Sequence, residues 1–215
     1  MPETPFDQRR YQIRHEWGVA GLARLAPSDI VVVVDVLRFS TTVVNRVADG
    51  DVVPLDEAAH AVSLNGAAVA AAAAETGAMV MLGCLRNASA VARGILHEQG
   101  RRGDRTSVAI IAAGELTAPE AGAALRFAVE DQLGAGAVVG ALGSLGIDHT
   151  SPEAAAAGEA FRGLRGAVRH LLTASGSGQE LIDLGRRDEV LAAAAVDDAD
   201  VVPVLREGVF LPYGS

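Results

Sequence analysis

A carboxylate, an arginine and several hydroxyl groups lie close together in the first quarter of the chain. Asp35 follows the apolar run Ile30–Val34, and Arg38, Ser40 and Thr41 come shortly afterwards. Carboxylate oxygens are ligands that Mg²⁺ prefers, whereas a guanidinium group and the amides at a helix N-terminus bind anions. The stretch therefore indicates a place where a divalent cation and a phosphate group meet.

Two secondary-structure elements must position these groups. The unbroken β-branched run 30–34 is typical of a strand that is covered on both faces. The hydroxyls that begin at Ser40 predict the start of a helix that ends near Gly50. Because ligands of parallel sheets bind beyond the carboxyl ends of the strands, we expect Asp35, Arg38 and the helix start to share one rim.

Each of these residues also has an ordinary structural role. Ser40 or Thr41 can cap the helix, Asp35 can cap a turn, and Arg38 can be a surface charge. For a single residue the structural role is the commoner one. Their combination at a strand-to-helix junction favours a phosphate or metal site.

Further carboxylates follow other predicted elements. Glu115 comes after the predicted strand Val108–Ala112, and the adjacent Glu130 and Asp131 lie in the next predicted helix. With Asp35 they offer ligands from separate elements, as a magnesium site of carboxylates and water requires. Adjacent positions diverge around a helix, so we expect at most one of Glu130 and Asp131 to face the site, with the other on a solvated face.

Additional groups are candidates for binding phosphate: Arg86, Arg126 and a turn predicted at Asn65-Gly66. Arg126 begins the predicted helix that also contains Glu130. Glu130 follows Arg126 by four residues. An ion pair between these two side chains is the alternative role for Arg126.

Two segments of the chain echo each other. Val34–Val43 and Leu82–Val91 each end a predicted strand, continue with Leu-Arg and begin a helix with small or hydroxyl residues. The echo matches Arg38 with Arg86 and suggests two anion-facing helix starts on one rim. Asn87, in the second segment, either orients a water molecule or caps its own helix, and capping is the commoner use.

The composition disfavours several classes of function. The 215-residue chain is 50% hydrophobic with 24 glycines, whereas aromatic residues make up 4% and the formal charge is −9. Few stacking side chains and a negative charge disfavour binding to nucleic acids and to anionic membranes. We see no apolar secretory core or membrane span and expect a cytoplasmic protein. The single cysteine, Cys84, is predicted to lie in the core.

Predicted strands alternate with predicted helices, which indicates one α/β domain over residues 1–215 with a largely parallel (mixed) sheet. Tyr11–Trp17 is predicted to be an edge strand, Glu153–Ala174 one long helix and Val190–Val196 a short strand. We interpret Ser175–Gly178 as a flexible turn, with a phosphate-binding loop as the alternative. No P-loop, dinucleotide-binding or nucleophile-elbow motif occurs, and the histidines lack the spacing of zinc ligands.

Several stretches of the sequence resemble the 2-phosphosulfolactate phosphatase family, in order along nearly the whole chain. They include VDVLRFSTT from Val34, GCLRNASAVA from Gly83, LRFAVEDQLGAGA from Leu125 and SGSGQELIDLG from Ser175. The resemblance implies a three-layer α/β/α fold and a phosphatase that requires Mg²⁺ and forms a homo-oligomer, a homodimer in our expectation. It also implies hydrolysis of 2-phospho-3-sulfolactate to 3-sulfolactate and phosphate, a step of coenzyme M biosynthesis.

By this resemblance the active cleft is lined by Asp35, Arg38, Ser40, Thr41, Asn87, Glu130 and Asp131. The chain departs from the family before the Asn65-Gly66 turn, because the segment around residues 56–63 is shorter than in other members. If part of the cleft is missing, two other hypotheses apply. The protein would then bind a phosphorylated or sulfonated metabolite without turning it over, or it would be a structural protein with a decayed site.

Our main hypothesis is a magnesium-dependent hydrolase of a small acidic phosphate monoester. The catalytic residues would be Asp35, Arg38, Asn87 and Glu130. The metal ligands would come from Asp35, Glu115, Glu130 and Asp131. Phosphate would be bound by Arg38, Ser40, Thr41, Asn65, Gly66, Arg86 and Arg126. We favour direct attack by water, with an aspartyl phosphate on Asp35 as the alternative.

Overall fold

A mixed sheet of seven strands forms the centre of the protein. The computed structural model describes residues 4–56, 59, 63–118 and 123–214. The sheet contains β1 (Ile13–Trp17), β2 (Ile30–Val34), β3 (Val53–Pro54), β4 (Met79–Gly83), β5 (Val108–Ala112), β8 (Pro203–Arg206) and β9 (Val209–Pro212). A separate two-stranded ribbon is formed by β6 (Glu115–Leu116) and β7 (Leu125–Arg126).

The strand order is β1-β5-β2-β4-β8-β9-β3. The neighbours β1, β5, β2 and β4 are parallel, whereas β8, β9 and β3 continue the sheet in antiparallel pairs. The prediction of an α/β protein with a largely parallel, mixed sheet is confirmed, and β1 is an edge strand as expected. The strand β2 lies between β5 and β4. The residues that follow it therefore lie near the middle of the rim formed by the carboxyl ends of the parallel strands.

Helices connect the strands. They are α1 (Gly18–Arg24), α2 (Phe39–Ala48), α3 (Leu64–Ala74), α4 (Ala88–Arg102), α5 (Val129–Ser144), α6 (Pro152–Leu164), α7 (Val168–Ala174), α8 (Gly176–Asp183) and α9 (Arg187–Ala193). Short 3₁₀ turns cover Pro5–Asp7 and Arg165–Ala167. No helix of the described ranges combines the length and the apolar character needed to cross a bilayer.

Alternate residues of β2 enter opposite hydrophobic layers, which explains its unbroken apolar sequence. Val32 and Val34 belong to a cluster that includes Leu133 of α5, whereas Val31 and Val33 belong to a second cluster. The second cluster includes residues of α2 and α3. Successive side chains of a strand point to opposite faces, so helices cover both faces of this sheet. Cys84 is buried in the first cluster, as predicted.

Three predictions of secondary structure in the C-terminal third of the chain were wrong. The helix predicted over Glu153–Ala174 is interrupted at Arg165–Ala167, where Gly163 and Gly166 lower helix propensity. The strand predicted at Val190–Val196 is part of α9 and a following turn, because a short apolar run fits either element and alanine favours the helix.

The third error concerns Ser175–Gly178, which is not a flexible turn. Ser175 caps α8, and its hydroxyl accepts a hydrogen bond from the amide of Gly178 at 3.0 Å. The helix therefore begins within the glycine-rich segment. The segment around 56–63, which we expected to be shortened, lies mostly outside the described residues.

The packing of α5 on α6 predicts opposite effects of alanine at two glycines of α5. A Cβ at Gly136 would overlap the carbonyl oxygen of Ala157 and lie 2.8 Å from Cβ of Phe161, whereas a Cβ at Gly140 would meet nothing within 4 Å. We expect Gly136→Ala to lower the free energy of unfolding by about 1–3 kcal/mol through overpacking. Gly140→Ala should raise it by up to about 1 kcal/mol, because alanine has the higher helix propensity.

Urea denaturation of both variants and of the wild type measures these changes. Equal effects of the two substitutions would contradict the close α5–α6 contact.

Candidate active site

A cavity of about 860 Å³ opens beyond the carboxyl ends of β2 and β5. Asp35 follows β2, Gly114 and Glu115 follow β5, and the first turns of α3, α5 and α8 contribute further lining. This is the edge of a parallel sheet at which ligands bind. The location agrees with the expectation from the sequence.

Asp35 lies in the wall of this cavity and is 4% exposed. Its Oδ1 accepts a hydrogen bond from the amide of Phe39 at 3.0 Å, and its Oδ2 accepts one from the hydroxyl of Ser63 at 2.6 Å. Burial, with the nearby charges of Glu115 and Glu130, raises the pKa of Asp35 to about 6, against the lowering effect of the two hydrogen bonds. A carboxylate held in this way gains stability from any cation placed beside it.

Asp131, which is also buried, joins the ends of two strands. Its Oδ1 accepts a hydrogen bond from the amide of Val36 at 2.7 Å, and its Oδ2 accepts one from the amide of Gly114 at 2.9 Å. Burial, followed by the charges of Asp35 and Glu130, raises the pKa of Asp131 well above its usual value. Because each oxygen already binds an amide, Asp131 acts first as a clamp between the segments after β2 and β5.

Glu115 and Glu130 share one hydroxyl group. The Ser177 hydroxyl lies 3.0 Å from Oε2 of Glu115 and within hydrogen-bonding distance of Oε1 of Glu130. A hydroxyl carries a single proton, so it donates to only one of the two carboxylates at a time. The arrangement brings two carboxylates from separate elements to one side of the cavity.

The expectation that only one of Glu130 and Asp131 faces the site was wrong. Both residues are 3% exposed, and both line the cavity. They lie in the first turn of α5, where the helix begins at the wall of the cavity. At a helix end, adjacent side chains meet the same opening from different directions.

Positive groups face the same cavity. Arg126, on β7, lies against the first turn of α8, because a Cβ built at Gly176 would be 3.1 Å from its Nη2 atom. Arg38 also lines the cavity, and no hydrogen bond or ion pair of either guanidinium group to a described residue is found. The first amides of a helix have no intrahelical acceptor, so the amides of Gly176 and Ser177 add to this positive side.

Arg126 does not pair with Glu130 along one helix, as the alternative interpretation required. Arg126 belongs to β7, whereas α5 begins only at Val129. The predicted helix started three residues too early, and the side chain that it assigned to an ordinary i,i+4 pair is free to face the cavity.

Asn65 lines the cavity and Gly66 lies against Asp35, but the two residues do not form a turn. They lie in the first turn of α3, and the capping hydroxyl of Ser63 accepts hydrogen bonds from both amides. The side-chain amide of Asn65 donates to the carbonyl of Gly114 at 2.9 Å. A Cβ at Gly66 would collide with Oδ2 of Asp35, so glycine allows α3 to approach the carboxylate closely.

The structure does not bring the hydroxyls of Ser40 and Thr41 to this cavity. The Ser40 hydroxyl is fully buried, donates to the carbonyl of Val33 and accepts from the amide of Asp35. The Thr41 hydroxyl donates to the carbonyl of Val36 at 2.8 Å. The amides of Phe39 and Ser40 at the start of α2 already bind Asp35. The start of α2 therefore lacks free groups for phosphate, in contrast to our expectation.

Arg86 and Asn87 are also absent from the cavity. Arg86 pairs with Asp198 at 2.7 Å and donates to Asn45. Asn87 is fully buried, accepts from the amide of Cys84 and donates to the carbonyls of Leu82 and Val201. The internal echo thus marks two similar strand-to-helix junctions. Of the two matched arginines, Arg38 lines the cavity and Arg86 does not.

Two serines of this site were not predicted as functional residues. Ser63 binds Asp35, and Ser177 binds Glu115 and Glu130. The glycine-serine segment at 175–178 was a usable signal for Ser177. For Ser63 the signal was weaker, since a serine that precedes a helix is usually an N-cap, and it is one here.

The chemistry of the carboxylates fits a magnesium ion that keeps most of its water. Across the described ranges, no three His, Cys, Asp or Glu side chains lie close enough together to hold a metal ion by themselves. Mg²⁺ commonly binds through one or two carboxylates and keeps several water molecules. Asp35, Glu115 and Glu130 offer such oxygens, whereas an all-protein cage for Ca²⁺ or Zn²⁺ is not present among these residues.

The fold and the cavity together define an α/β protein with a site for an anionic ligand, and a comparison of sequences specifies the family. The model of the 2-phosphosulpholactate phosphatase family matches residues 56–208. The chain therefore belongs to the 2-phosphosulpholactate phosphatase family. The resemblance described from the sequence motifs is confirmed, and the family description implies a phosphoric monoester hydrolase.

The burial of Asp35 predicts that the free energy of unfolding of the metal-free protein depends on pH. Because the pKa of Asp35 is about 6 in the folded state and 3.8 ordinarily, the folded state binds the proton more tightly. The free energy of unfolding should therefore fall as the pH rises through this window, by an amount on the order of 3 kcal/mol. Asp35→Asn should be more stable than the wild type at pH 7 and show a smaller decrease between pH 4 and pH 7.

Denaturation in EDTA at several pH values measures this difference. The matched control is Asp148→Asn, an exposed aspartate outside this cavity, which should follow the wild-type curve. A loss of stability in Asp35→Asn at pH 7 would contradict the argument.

Proposed function

We propose that this protein is a magnesium-dependent phosphatase that hydrolyses a phosphate monoester of a small acid. The observation that carries the proposal is the division of one cavity into two sides. Buried carboxylates of Asp35 and Glu130 lie in its wall, and the guanidinium groups of Arg38 and Arg126, for which no described residue is a partner, face the same space. Phosphoryl transfer requires this combination of a cation site and anion-binding groups.

The phosphoryl group would bind to Arg126 and to the amides of Gly176 and Ser177 at the start of α8. These are the positive groups that lie directly against each other. They would neutralise the charge that develops on the phosphoryl oxygens. Arg38 would bind the carboxylate of the substrate, because it lines the same cavity from the junction between β2 and α2.

One or two of Asp35, Glu115 and Glu130 would hold Mg²⁺, with water completing its coordination. The ion would polarise the phosphoryl group and lower the pKa of an attacking water molecule. Asp131 would keep the segments after β2 and β5 in position through its bonds to Val36 and Gly114.

We favour attack by water over an aspartyl phosphate on Asp35. Both oxygens of Asp35 already accept hydrogen bonds, from the amide of Phe39 and the hydroxyl of Ser63. These bonds hold the carboxylate in one orientation and reduce its nucleophilicity. Acid quenching during turnover of an ester with radiolabelled phosphate, followed by analysis of the protein, would detect protein-bound label only if a phosphoenzyme forms.

Phosphate release is expected to require both the metal and the two sides of the cavity. With 2-phospholactate or 2-phospho-3-sulfolactate as substrate, EDTA should abolish release and added Mg²⁺ should restore it. Arg126→Gln and Asp35→Asn should each lower kcat/KM by about 100-fold or more, as expected for the loss of a group that stabilises the transition state.

The matched control is Arg93→Gln, since Arg93 forms an exposed ion pair with Asp200 outside this cavity. Such surface pairs contribute little, so this variant should keep wild-type activity. Turnover that is independent of metal, or that survives in Arg126→Gln, would contradict the proposal.

A second candidate function is binding without turnover. The absence of any cluster of three potential metal ligands among the described residues favours it. A rise in the melting temperature with phosphorylated acids, without phosphate release at any Mg²⁺ concentration, would support this alternative. The homodimer, the role in coenzyme M biosynthesis and the cytoplasmic location remain predictions, and sedimentation of the purified protein would test the first of them.

A further inference from the structure

We propose that the cavity selects a phosphate monoester with an apolar substituent in place of the sulfonate that the family description names. The inference rests on the proposed phosphatase function and narrows its substrate. It follows from the number of cations in the cavity, from the charge of α8 and from the exposed leucines beside the phosphate-binding groups.

The described lining of the cavity has two basic side chains for the three anionic groups of a sulfo ester, besides the Mg²⁺ ion proposed for the phosphoryl group. Of the described residues that line it, two are basic, Arg38 and Arg126, whereas six are acidic. The phosphoryl group and a carboxylate would occupy both arginines. The chain has no lysine, and the residues outside the described ranges include no arginine and one histidine, His60. Arg186, which acts on the pKa of Arg38, instead donates two hydrogen bonds to Glu189.

The residues of α8 that line the cavity change along the helix from polar to acidic and apolar. Gly176 and Ser177 begin this wall, Glu180 and Asp183 follow, and Leu184 ends it. At 1.5 Å per residue, Leu184 lies about 10 Å along the helix from Ser177. The wall beyond the phosphate-binding end is therefore acidic and apolar, and a sulfonate placed there would lose its water without gaining a cation.

Five leucines also line the cavity. They are Leu37, Leu64, Leu116, Leu181 and Leu184. Leu64 and Leu184 are 53% and 68% exposed, although both are large apolar residues. Exposed apolar side chains beside a cavity mark a ligand-binding surface, and a volume of about 860 Å³ exceeds what a three-carbon acid fills.

The test compares phosphate esters that share the phosphate and the carboxylate. They are 2-phospholactate, 2-phospho-3-phenyllactate, 2-phospho-3-sulfolactate and O-phosphoserine. With the full-length protein and saturating Mg²⁺, we expect kcat/KM for the phenyl ester to exceed that for the sulfo ester by about tenfold or more, as one buried apolar group can provide.

Leu184→Arg should reverse this preference, because it places a cation on the apolar end of α8. Leu164→Arg is the matched control, since Leu164 is 41% exposed on α6 and does not line the cavity. This control should keep the wild-type ratio. An equal or higher kcat/KM for the sulfo ester in the wild type would overturn the inference and leave the phosphatase function intact. The inference would also be overturned if O-phosphoserine, which carries an amine, were hydrolysed fastest. The acidic side chains of Glu180 and Asp183 would then determine the selectivity.

If no ester is hydrolysed, the proposed phosphatase function fails and the inference is still tested. The corresponding phosphonates, which cannot be hydrolysed, would then be compared by their effect on the melting temperature. Stronger protection by the phenyl phosphonate than by the sulfo phosphonate, lost in Leu184→Arg, supports the selective cavity. The opposite order or equal protection overturns it.

Discussion

The burial of carboxylates at the carboxyl end of the central strand is the constraint on which the site depends. Asp35 and Asp131 are each almost inaccessible to water, and a buried charge without partners is strongly unfavourable. Backbone amides of Phe39, Val36 and Gly114 supply most of the compensation. The pKa of both aspartates is raised because these hydrogen bonds offset only part of the cost of burial.

The same hydrogen bonds fix the geometry of the surrounding segments. Asp131 connects the residues after β2 with those after β5, so the two strand ends cannot separate without exposing a buried carboxylate. Gly66 allows the start of α3 to lie against Asp35, and Ser63 joins the cap of that helix to the carboxylate. The cavity is thus built from helix and strand ends that are held by backbone bonds, and such positions are more precise than those of free loops.

Opposite charges within one cavity explain why the family and the geometry agree. Glu115 and Glu130 meet at the hydroxyl of Ser177, while the adjacent amides of α8 and Arg126 present positive groups. A phosphate ester needs both sides, because its oxygens bind to cations and its hydrolysis develops charge on them.

The sequence by itself determined the fold class, the central strand and the place of Asp35 at its end. An unbroken β-branched run favours a strand covered on both faces, and the residue after such a strand lies at the ligand-binding edge. Most helix and strand positions were predicted as well, although boundaries moved by a few residues, as at Arg126. The motifs also identified the family, which the comparison confirmed.

Only the tertiary structure decided which side chains face the cavity. Ser40, Thr41, Arg86 and Asn87 have the right types and neighbours in sequence, yet their polar atoms bind the backbone or another side chain. In the sequence Ser63 looks like an ordinary cap and Ser177 like part of a flexible turn, yet both meet the carboxylates in space. A side chain's polar partners can lie more than a hundred residues away, so its direction depends on packing that spacing along the chain does not encode.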